Sequence, residues 1–320
     1  MKIILNSIKP VVEKSRHVRI NQKAILEFTK IVTAKDFDKS EYNSETIIEN
    51  GSEEKQVAYS IVFNSLNFCY WGQPKWTITI NGENYDGSFG MLRALKRGLE
   101  KGYQLLDSNY LASLPEEDLR NTFAGNTEIP LFSERLKLLR NLGQIVTKKF
   151  NSSFLNIVKG GKFDSIKIVE TLTKDFPKIF DDTASYHGQK VVFHKRAQLV
   201  PAHLVDLEKL GLISEKITNY DQLTAFADYK VPQILRKFNI VEYDKKLANK
   251  IDKMIEIPAG SDEEIEIRAN TIWAIELAVK LLKEKFPQVN AAKVDGIFWF
   301  KGQIKSPDDK PYHRTKTVWY

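Results

Sequence analysis

One cysteine, Cys69, is all the thiol chemistry this 320-residue chain carries. An internal disulfide is excluded, as is a metal site built on several cysteines, and the expected location is a reducing cytoplasm. No stretch approaches the ~20 consecutive apolar residues that a membrane-spanning helix needs. MKIILNSIKPVV at the N-terminus has a short apolar patch, but Pro10 and Glu13 follow without a small-residue cleavage site, so a secretory signal is not expected. Internal repeats, low-complexity tracts and long linkers are missing too, which favours one body over residues 1–320. Also absent are the Gly-x-Ser-x-Gly elbow, the GxxxxGK phosphate loop, GxGxxG and HExxH. The five histidines, His17, His187, His194, His203 and His313, show no close ligand spacing, which argues against zinc. No metal or cofactor is implied, and metal-free acid or base chemistry remains.

What the chain does have is ordinary globular composition, 42% hydrophobic and 28% charged, enough for an enzyme-sized core. A net charge of +7 suits a phosphate-bearing partner, yet over this length it is a mild excess. The densest basic clusters, Lys148-Lys149, Lys159 to Lys162 and Lys245-Lys246, read as solvated helix ends.

Along the chain, Asn21 is placed to cap a helix whose stripe is Ala24, Ile25, Phe28, Ile31 and Val32. The polar run Ser40 to Lys55 reads as a loop, and QVAYSIVFNSLNFCYW after it as buried. WTITINGENYDG alternates Trp76, Ile78 and Ile80 with threonines up to Asn81-Gly82, which predicts a β-hairpin. Helical pattern follows. SLPE (Ser113 to Glu116) and SDEE (Ser261 to Glu264) fit capping boxes, and the second opens a helix with Ile265, Ala269, Ile272, Ile275, Val279, Leu282 and Phe286 inward until Pro287. Further helices are predicted over Ser133 to Phe150, Ser165 to Phe176 and Ala202 to Leu210. The predicted class is mainly α (α+β): a β-containing layer to about residue 105 on a helical remainder.

Carboxylates in apolar settings are the candidates for chemistry, because desolvation tunes them for proton transfer or for stabilising positive charge. Asp228 sits in AFADYKVP between Phe226 and Tyr229, in the joint between two short helices; capping the second helix is its alternative role. Asp295 lies in KVDGIFWF, where Gly296 would let a ligand approach the backbone; its alternative is a turn residue before a strand. Glu276 faces partly inward on the long helix, or pairs with Arg268 or Lys280.

Set side by side, several segments carry a resemblance: LNFCYW (66–71), YDGSFGMLRALKRGLEKG (85–102), IPLFSERLKLL (129–139), VFHKRAQ (192–198), FADYKVPQIL (226–235), EIEIRANTIWAIE (264–276), VDGIFW (294–299) and PYHRTKTVWY at the C-terminus. In that order they resemble the queuosine salvage family, the queuosine 5′-phosphate N-glycosylase/hydrolases, related in fold to helix-hairpin-helix DNA glycosylases. The resemblance implies cleavage of the bond between queuine, a 7-deazaguanine base, and the ribose of queuosine 5′-monophosphate. It implies that Phe226 and Asp228 contact the base, that Asp295 is the nucleophile or transition-state stabiliser, and that Gly296 lies against the ligand. Physical chemistry is compatible: breaking an N-glycosidic bond builds oxocarbenium character, which a fixed carboxylate stabilises, and a phenyl face stacks on a base. Asp295 can also orient or deprotonate water. For the substrate phosphate, Lys195 and Arg196 are the local candidates, with an ion pair of Arg196 to Asp181 or Asp182 as the alternative; His313 and Arg314 come second.

Departures from the family pattern cluster near the expected pocket. Some members carry a base-contacting histidine in the early polar region, where Glu41 falls nearest here. Asn64 and His203 stand where an aspartate is common, and Phe300 where an acidic residue often follows the Trp. These changes remove charge, so a related deazapurine nucleoside or the non-phosphorylated form is an alternative substrate. Two other classes compete: a non-catalytic helix-hairpin-helix module on nucleic-acid backbone, and a base-excision glycosylase on DNA or RNA. Against the first, ADYKVP offers a carboxylate and a proline where backbone-binding hairpins present glycine N–H groups. Against the second stands the mild basic excess. The expected partner is therefore a small nucleotide, with no membrane and no stable nucleic-acid partner.

Overall fold

Local signals place most helix ends. In the computed structural model, which describes residues 1–37 and 47–320, Asn21 accepts the Ala24 N–H at 3.1 Å and Ser261 caps through the Glu264 N–H. The order opens with α1 (Lys2–Lys14), β1 (Val18–Ile20) and α2 (Gln22–Ile31). Next come α3 (Glu53–Leu66) and the hairpin of β2 (Thr77–Ile80) and β3 (Glu83–Asp86), which runs straight into α4 (Gly87–Glu100). Six helices follow: α5 (Ser108–Ala112), α6 (Glu116–Thr122), α7 (Phe132–Lys149), α8 (Leu155–Gly160), α9 (Ser165–Asp175) and α10 (Pro177–Phe180). A second hairpin, β4 (Thr183–Tyr186) with β5 (Gln189–Val192), leads into α11 (Lys195–Lys209). Then come α12 (Lys230–Lys237), β6 (Val241–Tyr243), α13 (Lys245–Asp252), α14 (Asp262–Leu282) and α15 (Ala291–Lys301). The class is mainly α with small antiparallel strand pairs, and no described helix is long and apolar enough to cross a membrane.

The Asn81-Gly82 hairpin forms as predicted, both turn residues having positive φ. Other details differ. Strand is not confined to the first third: β4 pairs with β5 through a His187-Gly188 turn, and β1 pairs with β6, Val18 opposite Tyr243, at a separation no local pattern reveals. Ser113 does not open a capping box; it ends α5, and α6 begins at Glu116 behind Pro115 without a side-chain cap. Glu53 to Lys55 belong to α3 rather than a loop, because Ser52 caps it. α14 stops at Leu282, short of Phe286 and Pro287. α11 starts seven residues before Ala202, its Pro201 tolerated inside the helix. Glu41 lies outside the described residues.

Side chains bury into two cores. One gathers α3, the β2–β3 hairpin and the helices through α11, from Val57 to Leu223. The other gathers α1, α2, the second hairpin and α12 to α15. Gly143 shows how tightly the first is packed: a Cβ there would lie 2.3 Å from the Ala112 nitrogen, so α7 and α5 touch backbone to backbone. Between the cores runs the segment Leu223 to Asp228. Leu223 and Phe226 point into the first core, Ala225 and Ala227 into the second.

Arg268 of α14 fastens the second core to this seam. Its guanidinium pairs with the buried Asp182 through both nitrogens, Nη1 at 3.1 Å, and reaches Glu264 at 3.4 Å. It lies 3.8 Å over the Phe193 ring and 4.3 Å over Tyr320, while Nε donates to the Ala227 carbonyl at 3.3 Å. Removing one partner of such a pair strands the other charge in the interior. Asp182→Ala is therefore expected to cost about 3–5 kcal/mol, measured by urea denaturation; a loss under 1 kcal/mol would show that Glu264 alone satisfies Arg268.

Candidate active site

A stretch of backbone that joins neither helix nor sheet must find partners for its buried N–H and C=O groups. In the seam, side chains from three helices supply them. Gln198 of α11 accepts the Thr224 N–H at 2.9 Å, Asp295 of α15 accepts the Phe226 N–H at 2.9 Å, and Arg268 of α14 donates to Ala227. Asp228 closes the segment, its Oδ1 accepting the N–H groups of Lys230 and Val231, both at 2.8 Å. The capping role is thus real, and it also holds the carboxylate rigidly at the start of α12.

The seam opens into a cleft of two adjoining lobes. The larger encloses about 980 Å³ of space including its mouth, and its wall includes Phe226, Asp228, Asp295, Gly296, Lys195, Tyr220 and Phe300. The smaller, about 510 Å³, is lined by Tyr70, Lys75, the start of α4 from Gly87 to Phe89, and Lys230. Asn67, Ser88, Lys195, Asp228 and Trp299 border both. Asp295 is not a turn residue before a strand: Asn290 caps α15 through the Lys293 N–H, and Asp295 stands one turn further in, with Gly296 beside it. A Cβ at Gly296 would meet nothing within 4 Å, so the helix presents bare backbone to open space.

The two carboxyls are both buried but not equivalent. Burial pushes the Asp295 pKa well above the usual range, and the neighbouring Asp228 charge pushes it further; one N–H bond and Lys195 oppose this. Burial also raises Asp228, opposed by Lys195, by two N–H bonds and by Lys230. Fewer groups oppose burial at Asp295 than at Asp228, so Asp295 is the member pushed further toward its protonated form. Lys195, at the first turn of α11 and 5% exposed, sets its ammonium 3.4 Å from the Asn67 carbonyl. Among the described residues no three His, Cys, Asp or Glu side chains gather as a metal ligand set.

With this geometry in view, comparison with known proteins is specific. The family model described as queuosine salvage protein matches residues 47–320. The chain belongs to the queuosine salvage protein family. A Sphaerobacter thermophilus relative is 36% identical over 320 residues, covering 99% of this chain and 97% of its own. Relatives from Dictyostelium discoideum (30% over 318 residues, 96% and 95%) and Mus musculus (30% over 284 residues, 84% and 83%) share its name, queuosine 5′-phosphate N-glycosylase/hydrolase.

Within this queuosine salvage chain, Phe226, Asp228, Asp295, Gly296 and Lys195 come together around the cleft, but Arg196 does not. It is 1% exposed, and its guanidinium donates to the carbonyls of Asn64, Ser65 and Ile179, neutralising the buried end of α3; the ion-pair alternative fails too, because Arg268 takes Asp182 and His194 takes Asp181. His313 and Arg314 line neither lobe; burial pulls the His313 pKa down to about 3. Arg268 is engaged elsewhere, so it does not pair with Glu276. Two departures from the family pattern prove to be neighbours: Asn64 Nδ2 lies 2.9 Å from His203 Nδ1, and His203 reaches the larger lobe, as does Phe300. Asn67, Ser88, Lys75, Lys230, Trp299 and Tyr220 were not singled out from sequence. Asn67, Ser88, Lys230 and Trp299 lie within the matching stretches LNFCYW, YDGSFG, FADYKVPQIL and VDGIFW, which was the available signal.

A carboxyl whose folded pKa is raised favours the fold below its unfolded pKa, and that contribution is lost as pH rises through the folded value. Asp295→Asn keeps the Oδ1 acceptor for Phe226 and removes the titration. It is expected to stabilise the protein by on the order of 1 kcal/mol at pH 8, with the gain vanishing near pH 4. Thermal melts across that range check this; a variant less stable than the parent at pH 8 would contradict the burial argument.

Proposed function

We propose that this chain hydrolyses the N-glycosidic bond of queuosine 5′-monophosphate, releasing queuine for reinsertion into tRNA. The observation that carries this reading is the pairing of two unequal buried carboxyls beside one aromatic wall. Phe226 offers the base a stacking face, worth ~1–3 kcal/mol, in the lobe where Asp295 stands. Asp228, at the junction of the lobes, lies where the ribose must sit if the base fills the larger one.

The division of labour follows from protonation. As C1′ parts from the base nitrogen, the bonding pair goes to the base and positive charge grows on the sugar. The ionised Asp228 stabilises that charge; the neutral Asp295 gives its proton to the departing base. Water adds to C1′, the proton it sheds returns to Asp295 and restores the acid, and ribose 5-phosphate remains. This exchanges the sequence-derived roles: Asp228 moves from base edge to sugar, while Asp295 stays catalytic but as the acid. Gly296 leaves room for the ligand. A backbone-binding module is disfavoured because the N–H groups of Lys230 and Val231, which it would offer to phosphate, are held by Asp228.

Incubation with queuosine, its 5′-monophosphate and guanosine monophosphate, with free base followed by mass, tests the reading. Queuine is expected from the first two at most, and nothing from the third. Asp228→Asn should lower kcat by about 10²–10³ with queuine binding retained. In the parent, kcat should fall as pH rises through the raised pKa of Asp295, and Asp295→Asn should lose that limb along with about 10²–10⁴ in rate. Full turnover by Asp228→Asn would overturn the assignment.

A further inference from the structure

Resting on that reading, we propose that the smaller lobe is the subsite for the substrate's 5′-phosphate, with Lys75 and Lys230 as its cations and the open first turn of α4 as its N–H donors. With the base in the larger lobe and C1′ at Asp228, the 5′ substituent points away from the base, and the space adjoining on that side is the smaller lobe. Size agrees: a substituted deazapurine needs the larger volume, a phosphate the lesser.

Charge decides between the two ends. The larger lobe sets Lys195, Lys209 and Lys293 against four carboxyls, Asp36, Asp206, Asp228 and Asp295, and Lys209 is already paired with Asp206 at 2.8 Å. In the smaller lobe the three ammoniums of Lys75, Lys195 and Lys230 face two carboxyls, Asp86 and Asp228. Only there do cations outnumber anions.

The start of α4 adds to this. Asp86 occupies the N-cap position of this 14-residue helix, yet its side chain does not cap; it turns to Lys75, 2.7 Å away. No acidic residue sits within the first turn and no side chain caps it, while Gly87, Ser88 and Phe89 line the lobe, which offers an anion the start of a helix. Lys230 is pulled below its usual pKa by burial and by Lys75, a repulsion that an anion between the two would relieve. A phosphate arriving here competes with Asp86 for Lys75, which makes Asp86 the residue that sets how strongly nucleotide is preferred over nucleoside.

The test compares KM for queuosine 5′-monophosphate and for queuosine in the parent protein and in Lys75→Met, Lys230→Met and Asp86→Asn. Each lysine variant is expected to lower the nucleotide-over-nucleoside preference about tenfold, and Asp86→Asn to raise it. General damage to the fold would weaken both substrates alike and leave the ratio unchanged, which would overturn the proposal. Calorimetric titration with ribose 5-phosphate reads the subsite without turnover: affinity about tenfold weaker in Lys230→Met supports it, equal affinity refutes it. If the parent binds ribose 5-phosphate in this lysine-dependent way but releases no base, the hydrolase reading fails and the anion subsite stands.

Discussion

Two carboxyls kept out of water within reach of one another are the constraint around which this molecule is arranged. Desolvation, and the repulsion that would follow if both ionised, raise the free energy of the charged pair, and the surroundings offset this with few groups: three backbone N–H bonds, Lys195 and Lys230. Because those N–H groups belong to the seam segment and to the first turn of α12, the same bonds that settle the carboxyls also satisfy backbone donors that no ladder or helix bond takes. Structure and chemistry share the same atoms, so the site cannot loosen without the seam loosening with it. Arg268 and Gln198 hold the rest of that segment from the two sides, and so connect both cores to the place where the substrate is expected.

The asymmetry of the cleft extends this logic from atoms to ligand. An aromatic wall, a bare helical glycine and an excess of carboxyls characterise the larger lobe; ammoniums and a helix start characterise the smaller. A nucleotide has the same polarity, a flat heterocycle at one end and a dianion at the other, with the scissile carbon between. Asp228 borders both lobes, and in the proposed reading its fixed geometry as a helix cap suits it to a reaction in which charge appears and disappears over one carbon.

Much of this was legible in the residues. The hairpin at Asn81-Gly82, the caps at Asn21 and Ser261, and the cleft positions of Phe226, Asp228 and Asp295 follow from local chemistry or from the family resemblance. What escaped reading has physical causes. Asp-Gly is a common turn pair, yet in KVDGIFWF the cap at Asn290 and burial against two cores hold it in a helix. Adjacent lysine and arginine look alike in sequence, but a helix turn of α11 sends Lys195 to the cleft and Arg196 to the carbonyls ending α3. Lys75 and Lys230 stand 155 positions apart and meet only through the fold. No local pattern marks β1 and β6 as partners.

Unequal protonation of Asp228 and Asp295 is the claim on which the chemistry stands, and carboxyl carbon NMR of the resting protein, labelled at aspartate and titrated with pH, measures it directly. The account requires the Asp228 resonance to lose its proton first and Asp295 to stay protonated well above the ordinary aspartate range near ~4. Simultaneous ionisation of both within that range, or the reverse order, would contradict it.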